Sequence, residues 1–307
     1  MSGTSPMARR SLLTAATVGA AGLALSAGPL GAKPAAAGVT APTSRRYEGK
    51  VVLVTGATSG IGRAAAIAFA GEGAKVGFCG RREHLGQQVE REIRRAGGEA
   101  TYIRADVRDP RQVKTFVDRV AQKYGGLHVA MNNAGIQYRK TIADMTVEEW
   151  DDTHHTNARG VFLCIKHEAP YIRDSGGGVI LVTGSANEFG TRPMLGAYAA
   201  SKGAVTGLVR TAAIEYGGAP WNIRVVALSP GTTNTALVDA WRPILAPDDT
   251  DEEWERRKAG PQPGIDGLKR MAKPEELANA ALALASDDMT FLTGTSVLVD
   301  GGMLAGL

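Results

Sequence analysis

From residue 50 to the end of this 307-residue chain, short apolar runs alternate with longer amphipathic segments. The run at 50–54 is apolar after its first residue, which predicts a strand buried on both faces, and 75–79, 100–104, 127–131, 179–183, 223–227 and 296–299 are further strand candidates. Helical patterns separate them at 60–71, 82–96, 109–124, 147–173, 197–216 and 274–285. Strands alternating with helices predict an α/β fold of one domain, a doubly wound parallel sheet covered on both faces. Right-handed crossovers then gather the C-terminal ends of the strands, and the loops that follow them, along one edge. Residues 233–270 are the least regular stretch, with Trp241, Pro243, an acidic cluster from Asp248 to Glu253 and Trp254. An excursion of this length inside a compact domain reads as a partly helical lid.

The first 37 residues differ from the rest. Arg9 and Arg10 precede an uncharged Ala-, Gly- and Leu-rich stretch that runs to Ala32. Its weakly apolar core does not suit a membrane span. Residues 1–37 look like a twin-arginine export signal, with small residues at Ala35-Ala36-Ala37 for cleavage. That implies a periplasmic or extracellular destination, or a cytoplasmic one if the leader does not function. Residues 38–48 read as a linker and 49–307 as the folded domain.

Composition then narrows the classes. Hydrophobic residues at 44% and charged residues at 21% supply a sizeable globular core. The formal charge of +4 belongs mostly to the leader, because Arg9, Arg10 and Lys33 face no acid there, which leaves the remainder at +1. No basic stripe interleaved with aromatics marks a nucleic-acid surface. Cys79 and Cys164 are too few for a disulfide framework and read as buried thiols. The adjacent His154 and His155 point about 100° apart on a helix, so no metal site is expected.

Three strings carry the chemistry. Thr55-Gly56-Ala57-Thr58-Ser59-Gly60-Ile61-Gly62 joins the first strand to the first helix. Glycines there let the backbone approach a pyrophosphate, and the unpaired N–H groups of the helix start face the anion. Asn132-Asn133-Ala134-Gly135 follows the fourth strand, and Tyr198-Ala199-Ala200-Ser201-Lys202 opens a late helix. Tyr198 and Lys202, four residues apart, share one helix face. A phenol serving as acid/base near neutrality needs its pKa lowered by roughly 3 units, about 4 kcal/mol. Two charges about 4 Å apart at an effective dielectric of about 20 exchange roughly that energy, which Lys202 with a second positive charge nearby would supply.

The spacing Gly-x-x-x-Gly-x-Gly, with the later strings, resembles the short-chain dehydrogenase/reductase family over residues 50–302. The resemblance implies a Rossmann fold and hydride exchange between a nicotinamide cofactor and a secondary alcohol or ketone. It implies a catalytic set of Asn157, Ser185, Tyr198 and Lys202, in which Ser185 holds the substrate oxygen, Tyr198 moves its proton and Asn157 orders a relay water. It places the cofactor on Gly56, Thr58, Ser59, Gly60, Ile61 and Gly62, on Asp106 and Val107, on Asn133, Ala134 and Gly135, on Tyr198 and Lys202, and on Pro230, Gly231 and Thr233. It also implies a homodimer or homotetramer, paired through the helices that carry Asn157 and Tyr198.

After the second strand the chain reads Cys79-Gly80-Arg81-Arg82, with no acid before Glu83. Binding of a ribose 2′-hydroxyl calls for an acid at this position, whereas two arginines suit a 2′-phosphate. NADP is therefore expected in preference to NAD. A non-catalytic NADP-binding redox sensor or assembly protein is the reading from another class, and the presence of both Tyr198 and Lys202 weighs against it.

Overall fold

Every pairing in the sheet is parallel, and the chain crosses from one half to the other beside its first strand. The computed structural model describes residues 45–262 and 267–306; the leader and its export reading lie outside them. The strands are β1 (Val51–Val54), β2 (Lys75–Gly80), β3 (Glu99–Arg104), β4 (Val129–Asn132), β5 (Gly178–Thr183), β6 (Ile223–Pro230) and β7 (Ser296–Val299). Their order is β3-β2-β1-β4-β5-β6-β7, with Val52 opposite Val76 on one side and Val129 on the other. The order reverses between β1 and β4, which opens a crevice at the strand C-terminal ends.

The helices are α1 (Gly60–Gly71), α2 (Glu83–Arg95), α3 (Pro110–Tyr124), α4 (Val147–His154), α5 (Gly160–Asp174), α6 (Gly196–Tyr216), α7 (Ala236–Asp239), α8 (Arg242–Leu245), α9 (Asp251–Ala259) and α10 (Pro274–Ala285). Because strand side chains alternate, Val52 and Val54 enter a core with Phe69, Val89 and Leu277, while Val51 and Leu53 enter the opposite one with Phe116, Ile172 and Val205. Each such side chain contributes about 1.5–3 kcal/mol by burial. Packing begins upstream of the expected domain start: Tyr47, in the stretch read as linker, is buried edge-on to Phe69 and donates to the Leu282 carbonyl.

The helix expected over 147–173 is interrupted. Between α4 and α5, residues His155–Arg159 form a π turn in which the Gly160 N–H donates to the His155 carbonyl, five residues back. Thr146 starts α4 with a reciprocal cap shared with Glu149. The excursion expected to be partly helical carries α7, α8 and α9, with Val238, Ala246 and Trp254 in a small core of their own. Trp254 and Lys258 both donate to Asp239, at 3.0 and 2.6 Å.

One buried acid lies beneath the crevice. Glu168 on α5 is fully enclosed and accepts from Asn132 Nδ2 at 2.8 Å. Its Oε1 and Asn132 Oδ1 have no partner, and burial pushes the acid up to about 8 against the Asn132 hydrogen bond.

Candidate active site

The loops after β1 and β4 are interlocked. Thr55 Oγ1 accepts from the N–H groups of Asn133 (3.0 Å) and Ala134 (3.1 Å). Gly56 has φ +67°, and a Cβ on it would lie 2.6 Å from Ala134 Cα, so a side chain would part the two loops. A Cβ on Gly62 would overlap Asn133 Nδ2, which itself donates to Thr55 O at 3.2 Å. Ser59 is the N-cap of α1, yet its side chain caps no helix amide and the first turn holds no acid. The first-turn N–H groups are thus left for an anion, as a dinucleotide pyrophosphate requires.

Arg82 turns back onto this loop. Its Nη2 donates to Ser59 Oγ at 2.6 Å and Thr58 Oγ1 at 3.0 Å, so one guanidinium ties the start of α2 to the glycine turn. Arg81 beside it is exposed. The Asp106 carboxylate, after β3, is gripped by Arg108 at 2.6–3.1 Å. Burial would raise this acid, and the Arg108 hydrogen bonds reverse that and hold it below its ordinary range. Arg108 also pairs with Asp152, which accepts from Tyr138 at 3.0 Å. This three-loop brace has no local sequence signature, because its members lie far apart in the chain.

At the other end of the cleft, β5 delivers Ser185 and α6 delivers Tyr198 and Lys202. Ser185 and Tyr198 line the cleft together, and Lys202 Nζ donates to Thr183 O at 2.7 Å. The expected lowering of the phenol is not achieved by the protein's own groups. Burial pushes Tyr198 up to about 12, outweighing the opposing effect of the Ser185 hydroxyl, and pulls Lys202 down to about 8. Asn157 lies in the π turn. Its Oδ1 accepts from Ile136 N (2.9 Å), and its Nδ2 donates to Ile136 O (2.9 Å) and Ser201 Oγ (3.0 Å).

A cleft of about 590 Å³ joins these pieces. Gly56, Thr58, Ser59, Gly60, Ile61, Arg81, Arg82, Asp106, Val107, Asn133, Ala134 and Gly135 line it, as do Ser185, Tyr198, Lys202, Pro230, Gly231 and Thr233. Gly62 and Asn157 stand behind the wall instead, one under Asn133 and the other under Gly135 and Ile136. Glu188 takes part without a motif to signal it: its carboxylate accepts from Ser185 N, Ser229, Thr206 and Ser296 at 2.6–3.1 Å. Only the fold brings those four partners to one carboxylate.

A crevice at the switch point, an anion-ready helix start and a Ser-Tyr-Lys group at its far end define a dinucleotide-dependent oxidoreductase of the doubly wound α/β class. A family model described as enoyl-(acyl carrier protein) reductase matches residues 56–304. The chain is 36% identical over 266 residues to a 3beta-hydroxysteroid dehydrogenase of Mediterraneibacter gnavus, covering 84% of this chain and 95% of that protein. A short-chain type dehydrogenase/reductase from Mycobacterium marinum superposes with a TM-score of 0.74 at 36% identity, covering 85% of this chain and 98% of the other. Levodione reductase superposes at 0.78 with 30% identity, covering 85% and 100%. The chain belongs to the short-chain dehydrogenase/reductase family. It is an NAD(P)-dependent oxidoreductase of alcohols and ketones.

Proposed function

We propose that this enzyme prefers NADP and interconverts a secondary alcohol and a ketone, with Tyr198 as the acid/base. The observation that carries the chemistry is the placement of Ser185, Tyr198 and Lys202 together in a cleft that starts on the glycine loop. When bound, the nicotinamide supplies or accepts the hydride. Ser185 orients the substrate oxygen, and Tyr198 gives that oxygen a proton or takes it away. Lys202 Nζ, 5.6 Å from the centroid of the Tyr198 ring, brings positive charge, which favours phenolate. Asn157 acts as a positioning residue, since both ends of its amide are engaged by the Ile136 backbone and Ser201. Oxidation of NADPH by a panel of ketones, with NADH in parallel, tests the reading; no turnover with either cofactor would remove it.

The NADP preference rests on Arg82 at the glycine loop and on the absence of an acid at the end of β2. A 2′-phosphate there would meet Arg81 and Arg82 with charge-assisted hydrogen bonds.

Assembly into a dimer or tetramer is supported by Phe162, exposed on α5, and by Gly203 and Gly207 on α6, where an added Cβ would meet nothing. Light scattering at micromolar concentration tests it, and a monomer would contradict it. Export through a twin-arginine route is supported by Arg9 and Arg10 before an uncharged stretch. Replacing both by Lys should leave the precursor in the cytoplasm; an intact N-terminus on abundant cytoplasmic wild-type protein would refute export.

A further inference from the structure

Two hydrogen-bond donors without acceptors line the cleft that holds Ser185 and Tyr198, and a third lies behind one of them, against its ring. Gln137 Nε2, Arg139 Nε and Trp241 Nε1 are all shielded from solvent and unpartnered. Gln137 and Trp241 line the cleft together with Ser185 and Tyr198. The Arg139 guanidinium lies over the Trp241 ring, 4.9 Å from its centroid. The strand-like bridge of Lys140 to Leu195 holds this loop alongside the start of α6, three residues before Tyr198.

The charge on Arg139 is not neutralised by any described residue. Lys140 pairs with Glu149, Arg108 with Asp106 and Asp152, and Lys258 with Asp239 and Glu255, whereas Arg139 has only the Trp241 face. Glu188, the carboxylate nearest the catalytic hydroxyls, is held by four protein donors. Burial and the neighbouring charge of Arg192 both act against the Arg139 cation. Buried donors without acceptors are costly, and a planar guanidinium with free N–H groups matches a carboxylate.

We propose that the substrate is an anionic one, an alcohol or ketone that carries a carboxylate received by Arg139, with Gln137 and Trp241 as further donors. This rests on the reading that alcohol–ketone exchange occurs at Tyr198. The carboxylate sits away from the reacting carbon, so Arg139 sets substrate affinity and leaves hydride and proton transfer to the groups already described.

The test uses the full-length protein with NADPH and a homologous series of oxo acids, each beside its neutral methyl ester. Wild type should turn over the best acid with a KM about tenfold or more below that of its ester. Arg139→Leu should raise KM for the acid by a similar factor and leave KM for the ester and kcat nearly unchanged, and Arg139→Lys should restore part of the preference. Equal KM for acid and ester in wild type, or an equal loss for both in Arg139→Leu, would overturn the substrate class while leaving the oxidoreductase reading in place. Thermal stabilisation of the NADP-loaded protein by succinate, an unreactive dicarboxylate, gives a readout independent of turnover. Stabilisation lost in Arg139→Leu, with no turnover of any ketone, would support the carboxylate site and remove the activity reading. Neither turnover nor Arg139-dependent stabilisation would overturn the carboxylate site.

Discussion

The Ser185 hydroxyl oxygen accepts twice from one residue: the backbone N–H and the side-chain Nδ2 of Asn187 both donate to it at 3.1 Å. A hydroxyl has two acceptor positions and one hydrogen. With both acceptor positions filled, the Ser185 hydrogen is left to point outward, into the cleft that Tyr198 also lines. Asn187 therefore fixes the direction in which Ser185 donates.

Replacing Asn187 by Leu should lower kcat about tenfold, the loss expected for one hydrogen bond of about 1.4 kcal/mol, with KM for substrate little changed. Asn187→Asp should cost more, because a carboxylate would draw the Ser185 hydrogen back from the cleft. Steady-state kinetics of the two variants check the order, and wild-type kcat in Asn187→Asp would contradict it.

Tyr198→Phe should retain NADPH binding, measured by quenching of cofactor fluorescence, and lose about 100-fold or more in turnover. The phenol stands at about 12 in the protein alone, so the bound complex must bring it down for the group to work near neutrality. In wild type, kcat for alcohol oxidation should therefore rise with pH along a single ionisation that Tyr198→Phe abolishes.

Arg82→Ala should weaken NADP binding by about 1–3 kcal/mol, the value of a charge-assisted contact, and leave NAD affinity nearly unchanged. Titration calorimetry with both nucleotides decides the point. Equal losses would mean that Arg82 merely shapes the glycine loop through Ser59 and Thr58.

Glu168 predicts a pH dependence of stability. Its folded value of about 8 exceeds the ordinary 4.5, so the folded state holds a proton that the unfolded chain gives up between those limits. The contribution is complete below about 4.5 and is lost as pH rises through 8, at up to about 1.4 kcal/mol per pH unit. Glu168→Gln lacks this dependence, so urea titrations should show it gaining on wild type from about pH 5 to 8. Parallel curves for the two proteins would contradict the assignment.

The strands were legible because runs such as Val51–Val54 are apolar at every position, which only a doubly covered sheet demands. The glycine loop, the Asn133 segment and the Tyr198–Lys202 pair were legible because their chemistry is local. The break between α4 and α5 was not, since the π turn contains neither Gly nor Pro and leaves the apolar spacing almost undisturbed. The raised phenol, the Arg108–Asp152–Tyr138 brace and the convergence on Glu188 depend on burial and on partners distant in sequence, which local patterns do not encode.

That π turn also sets how this chain can vary. One residue beyond a regular helix rotates everything downstream by about 100°. Asn157, which grips Ile136 from the upstream part, and Val161, Cys164, Glu168 and Ile172, which face the sheet from α5, are therefore phased to each other through the extra residue. Side chains at His155 or Arg159 are open to exchange, but removal of a single residue between them would turn α5 on its axis and leave either the loop or the core unfilled. Across the family, substitutions should accumulate in this turn far more freely than changes in its length.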